Sequence, residues 1–337
     1  MVRLRDVAAR AGVSLSVASR ALTKDAAARI SDETRARVEQ AAAELNYVPD
    51  HRARALRLSR SGAIALVVPE VNNALFAAVH AGVHAVCTPR QISVLLGQID
   101  PSDLGQGAAL SSLIGNGRVD GVVLQRSEQF SDDDVSEVID VDVPVILFNS
   151  SLPTHIGSVA LDDRAAVQVA VEHLTSLGHR DVAYIGGPAR HDAAFRRRAA
   201  FDQLAATGGL RTLPEWDVPG GWDAPAGHAA MTALLQASTR PTAVLVANIN
   251  AAVGVLAAAA AQGVTVPRDL SVIAVHDTWI GAYTCPALTT VLLPMEEAGV
   301  RAATMLLDHL EGGALEDVVV AAPAPALVLR DSTAPPR

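Results

Sequence analysis

At the head of the chain Leu4, Val7, Ala8 and Ala11 recur at helical spacing, Gly12-Val13-Ser14 interrupts that apolar stripe, and Ala18, Ala21 and Leu22 resume it. The pattern predicts a helix-turn-helix. Gly12 offers the positive φ that a tight turn between helices needs, and Ser14 can accept from the free amides that open the second helix. Small Ala8 and Ala18 let the two backbones approach, which leaves Leu15, Ser16, Ser19 and Arg20 on the outer face, where they would meet a major groove. Helix pairs around a glycine also occur in proteins that touch no DNA, so the rest of the chain has to support this reading. A third helix is predicted to start at Ser31, with Asp32 and Glu33 in its first turn and Val38, Ala41, Ala42 and Leu45 as its stripe. It closes a headpiece over residues 1–48 and stops before Pro49.

Residues 49–60 carry four arginines and only two large apolar side chains, too few and too short for a stable lone helix. This stretch is either a solvated linker or a hinge helix that folds on DNA, its arginines on phosphates and Leu56 a minor-groove wedge. From Ser61 the texture changes. Strands are expected over 63–69, 92–97, 121–125 and 143–148, with helices over 74–86, 104–114 and 131–138 between them. A second series follows, with strands over 158–161, 182–186, 243–247 and 270–275 and helices over 164–177, 191–206, 226–237 and 251–262. Two alternating series imply two doubly wound parallel sheets, hence two lobes. The first is expected to span about 61–157 plus 291–322 and the second about 158–290 plus 323–330, with 331–337 a frayed tail.

The net charge of −9 hides an asymmetry: residues 1–60 hold twelve Lys/Arg against seven Asp/Glu, +5, so the remainder carries −14. A basic head on an acidic body suits a DNA-binding module joined to something else. Cys87 and Cys285 lie far apart without metal-ligand spacing, so both are expected in the core and no metal site is expected. The start shows no apolar leader, and the longest apolar run, 251–261, is too short to span a bilayer, so a cytoplasmic protein with no membrane partner is expected.

In doubly wound sheets ligands bind beyond the carboxyl ends of strands. Those ends here carry Glu70, Gln98, Gln125 and Arg126, Asn149, Asp162 and Asp163, Asn248, and His276 and Asp277, a recurrence that suggests a polar ligand between the lobes. With eleven aromatics in the chain, Phe76 and Trp222 are the candidate flat surfaces for it, whereas Trp216 and Trp279 are assigned to packing. Gly186-Gly187-Pro188 lacks the spacing of a dinucleotide loop, and neither a phosphate-cradling Gly-Lys-Ser/Thr loop nor a nucleophile elbow occurs, so no enzyme and no cofactor are expected. A stand-alone solute-binding protein would share the two-lobed body but not the headpiece.

The chain resembles the LacI/GalR family of bacterial transcriptional regulators along essentially its whole length. The likeness is carried by Leu4-Arg5-Asp6-Val7-Ala8-Ala9-Arg10-Ala11-Gly12-Val13-Ser14 running to Leu22, by Leu45-Asn46-Tyr47-Val48-Pro49, by Ala53-Arg54-Ala55-Leu56, by Val119-Asp120-Gly121-Val122, and by Pro286-Ala287-Leu288-Thr289-Thr290-Val291. It implies a helix-turn-helix headpiece, a hinge helix and a two-lobed, periplasmic-binding-protein-like sensor. It also implies a homodimeric repressor on a pseudo-palindromic operator, controlled by a small effector, often a sugar. By that likeness the DNA contacts are Arg3, Ser14, Leu15, Ser16, Ser19 and Arg20 with Ala53, Arg54 and Leu56 of the hinge, and Arg197 joins Trp222 and Asn248 on the effector. The likeness has gaps: Asn248 is followed by Ile249 rather than an aspartate, His276 stands where an effector-binding aspartate commonly sits, and Ala200 replaces a usual glycine. The tail shows no heptads, so a dimer is the expected assembly.

Overall fold

The computed structural model describes residues 2–22, 29–47, 60–98, 117–127, 130–139 and 143–337. Hinge residues Ala53, Arg54 and Leu56, and the helix expected over 104–114, lie outside them. The chain divides into two compact units, 1–61 and 62–337.

In the first unit helix α1 (Leu4–Ala11) opens with the Asp6 carboxylate accepting from the Arg3 amide at 2.8 Å. It ends at Gly12, whose φ of 67° lets the Val13 amide turn back to the Ala8 carbonyl at 3.0 Å. Helix α2 (Leu15–Leu22) starts where Ser14 Oγ accepts from the Val17 amide at 3.3 Å. Ser31 caps α3 (Asp32–Glu44) by accepting from Thr34. The buried core is Val7, Ala8, Ala11, Ala18, Ala21, Val38, Ala41 and Ala42. Six of those eight are alanine, so the helices meet at close range over little apolar area, and each buried valine matters.

In the second unit one sheet runs in the order β10-β5-β4-β3-β1-β2, all parallel, from β1 (Ala63–Val68), β2 (Ser93–Gln98), β3 (Val122–Leu124), β4 (Val145–Phe148), β5 (Ser158–Leu161) and β10 (Asp317–Val320). Helices α4 (Leu75–Cys87) and α5 (Asp132–Ile139) belong to this lobe. The second sheet, β11-β9-β8-β7-β6, comprises β6 (Val182–Ile185), β7 (Ala243–Val246), β8 (Ser271–Val275), β9 (Thr289–Leu292) and antiparallel β11 (Ala326–Val328). Its helices are α6 (Asp163–Ser176), α7 (Asp192–Gly208), α8 (Ala224–Leu234) and α9 (Ile249–Ala261). After the short α10 (Trp279–Tyr283), α11 (Met295–Leu310) returns to the first lobe, where Gly299 and Gly82 allow it to press against α4: a Cβ on Gly82 would stand 2.0 Å from the Glu296 carbonyl oxygen. Strands β1, β3, β4, β6, β7 and β8 are buried on both faces, which accounts for their uninterrupted apolar runs. No helix among the described residues is long and apolar enough to cross a membrane.

Several expectations need correction. Ser158–Leu161 does not open the second lobe; it lies between β4 and β10 in the first sheet, held by Asp317, whose carboxylate accepts from Ser158 Oγ at 2.7 Å. A strand pattern marks a strand but not its neighbours. The segment 289–292 likewise stays in the second sheet. The tail is laced to the second lobe rather than frayed: buried Ser332 donates to the Val272 carbonyl at 2.6 Å and accepts from the Thr289 amide at 2.8 Å. Cys87 is buried but Cys285 is exposed, and Trp216 is buried whereas Trp279 is 70% exposed.

Candidate functional site

On the headpiece, the face of α2 that the core leaves uncovered presents Leu15, 54% exposed, with exposed Ser16 and Arg20 and half-buried Ser19, while exposed Arg3 and Ser14 flank the two helix starts. Arg20 carries a planar fork of donors matched to guanine N7 and O6, and Leu15 an apolar end matched to a thymine methyl.

In the second unit the carboxyl ends of both sheets border one cavity of about 390 Å³ between the lobes. Chain leaving β1 contributes Glu70, β2 ends on Gln98, β3 is followed by Gln125 and Arg126, β4 by Asn149, β7 by Asn248 and β8 by His276. Phe76 of α4 and Trp222, on the loop before α8, supply aromatic wall. Gly187 has no room for a side chain because a Cβ there would lie 2.4 Å from the Trp222 ring, so this glycine seats the indole. Asn149 and His276 both take left-handed backbone, φ 49° and 68°, directly after their strands. Such geometry in non-glycine residues costs on the order of 1 kcal/mol and collects at ligand sites.

The inner wall is built on Arg197, whose residue is 1% exposed. Its Nε donates to Asp163 at 2.7 Å, Nη1 to the Ala247 carbonyl at 2.6 Å and Nη2 to His276 Nε2 at 2.8 Å, and its guanidinium lies 5.8 Å from the Trp222 ring centroid. Asp163 also receives Arg196 Nε at 2.8 Å, and Arg196 Nη2 reaches Asn149 Oδ1 at 2.6 Å, so one buried carboxylate serves two guanidiniums and ties the wall to the first lobe. Because an arginine can only donate, neutral His276 accepts at Nε2 and carries its proton on Nδ1. Burial, then Arg197, holds the His276 pKa well below its usual value, and the same two causes bring His191 down to about 4. His191 meets the Trp222 ring edge-on at 5.1 Å.

Residues 3–50 match the family model for bacterial regulatory proteins of the lacI family, and residues 171–333 that of the periplasmic binding protein-like domain. The transcriptional repressor PurR of Edwardsiella ictaluri is 31% identical over 337 residues, covering 99% of this chain and 97% of that protein. The chain belongs to the LacI family of transcriptional regulators. The repressor CytR of Escherichia coli K12 is 30% identical over 92% of this chain and 90% of its own. Among solved structures, a LacI-family regulator from Mycobacterium smegmatis is 44% identical at a TM-score of 0.76, covering 81% of this chain and 100% of that one. The lac repressor dimer bound to operator and the anti-inducer ONPF is 27% identical at 0.79, covering 99% of both chains. Members of the family are regulators rather than enzymes.

Within this LacI-family chain the cavity brings together seven of the residues expected around an effector: Phe76, Gln98, Gln125, Arg197, Trp222, Asn248 and His276. Asp162 is not among them; its carboxylate caps α6, accepting from the Ala165 amide at 2.9 Å. Asn248 does double work, its Oδ1 capping α9 at Ala251 and its Nδ2 donating to the Trp222 carbonyl at 2.9 Å. Sequence reasoning passed over His191 and Asn73, and of the pair Asp162-Asp163 at the end of β5 it assigned the effector contact to Asp162. His191 and Asn73 sit in loops away from strand ends, and nothing in the spacing of Asp163 distinguishes it from the capping Asp162 beside it.

Proposed function

We propose that this chain is a homodimeric repressor that reads a pseudo-palindromic operator through Arg3, Ser14, Leu15, Ser16, Ser19 and Arg20 and is controlled by a small polar effector of carbohydrate type. The effector is held by Phe76, Gln98, Gln125, Arg197, Trp222, Asn248 and His276. The observation that carries the reading is one chain holding both a helix-turn-helix with an uncovered polar face and a cavity at the carboxyl ends of two facing sheets. A dimer on operator in the lac repressor, and the name of a transcriptional repressor on PurR and CytR, support it. Mechanistically, an effector that binds the closed lobes better than the open ones shifts operator affinity by that difference in binding free energy.

The test is sequencing of genomic fragments retained by the purified protein, with and without a panel of sugars and sugar derivatives. An enriched pseudo-palindrome whose retention changes with one of the compounds is expected, and no enrichment in any condition would contradict the reading. Arg20→Ala is expected to cost about 1–3 kcal/mol at the guanine it reads and to leave non-specific binding in place. Unchanged sequence preference in that variant would remove Arg20 from the reading face.

A further inference from the structure

The hydrogen-bonding polarity of the cavity wall narrows the class of effector; the inference rests on the effector reading above. Four buried polar atoms on cavity residues have no hydrogen-bond partner among the described residues: His276 Nδ1, Trp222 Nε1, Arg126 Nε and His191 Nδ1. The tautomer of His276 is fixed by Arg197, so the first three can only donate, while neutral His191 offers a donor or an acceptor at Nδ1 according to its tautomer. The amide side chains add to the same imbalance. Gln98 Oε1 accepts from the Val71 amide at 3.2 Å and Asn149 Oδ1 from Arg196 at 2.6 Å, which leaves their NH₂ ends for a ligand. Asn248 makes one bond inside the protein from each end, which leaves it one donor hydrogen and one lone pair for a ligand. Behind this wall Arg196 and Arg197 share Asp163, one carboxylate for two cations. The carboxylates that do line the cavity, Glu70 and Asp223, are exposed, where hydroxyl groups can donate to them.

A ligand matched to this wall offers acceptors without hydrogens at its inner end and hydroxyls at its outer end. The geometry points to a carboxylate-bearing sugar derivative, a sugar acid, seated with its carboxylate against the His276–Arg197–Trp222 wall while Arg126 adds a donor from the other lobe. One carboxylate presents four lone pairs and no proton, which answers donors that a neutral sugar hydroxyl satisfies only in part. Burying those donors without partners is costly, so the charged group gains most where the wall is most deficient.

Calorimetric titration of the full chain with matched pairs tests this: glucuronate against glucose, galacturonate against galactose, gluconate against glucitol. The acid is expected to bind more tightly than its neutral partner, by about tenfold or more in the pair of correct stereochemistry. Equal or tighter binding of the neutral member in every pair that binds would overturn the acid assignment and leave the effector reading standing. Failure of both members of all pairs at millimolar concentration would contradict the effector reading and this inference with it. His276→Asp, which puts a carboxylate in place of the Nδ1 donor, is expected to invert the order within the pair. An unchanged order would overturn the role given to His276.

Discussion

Arg197 shows how one side chain fixes the chemistry of its neighbours. Its three donated bonds orient Asp163, the end of β7 and His276, and burial, with the Arg197 charge added, keeps both His276 and His191 neutral at physiological pH. His191 turns this into a measurable pH dependence. Its folded pKa of about 4 lies below the unfolded value near 6.5, so the unfolded state binds more protons between them, and stability present at neutral pH is lost as pH falls through that window. From pH 7 to 5 the contribution is about 2 kcal/mol. Urea denaturation of the wild type and His191→Gln at the two pH values is expected to show a smaller loss in the variant, and equal losses would contradict the assignment.

At the scale of elements, periodicity located most helices and strands to within a few residues, because their apolar faces are buried against the sheets. It missed β10, four residues of which only Val320 is buried, and it could not say which sheet 158–161 joins, since that depends on Asp317 far along the chain. It was equally blind to the difference between Asp162 and Asp163. Both follow β5, yet one caps α6 and the other turns inward to the two arginines. Asp162→Ala is therefore expected to cost about 1 kcal/mol of stability, read by thermal or urea unfolding, and to leave effector binding unchanged. A loss of binding in a folded variant would restore Asp162 to the site.

For the molecule as a whole, the headpiece and a two-lobed sensor were legible in the order of elements, and the cavity followed from where parallel strands end. The polarity of that cavity was not legible, because it depends on which end of each amide the protein itself uses. Nor were the contacts that join the lobes: Asn250 of α9 donates to Asn73 at 2.9 Å, and the Ser151 amide to Asp192 of α7 at 2.5 Å. Together with Arg196 on Asn149, these polar bonds link the two lobes across the cleft. Asn250→Ala is expected to weaken effector binding about fivefold by disfavouring closure, measured by calorimetry; unchanged affinity would show that this bond plays no part in it. Control of the headpiece by the cavity is tested by an operator titration by fluorescence anisotropy, with and without the compound that binds the cavity, on the wild type and Arg197→Ala. Arg196 keeps Asp163 paired in that variant. A change in operator affinity of about fivefold or more is expected in the wild type and none in the variant, with the ligand-free affinities alike. The same change in both proteins, or none in a wild type that has bound the compound, would contradict control by the cavity.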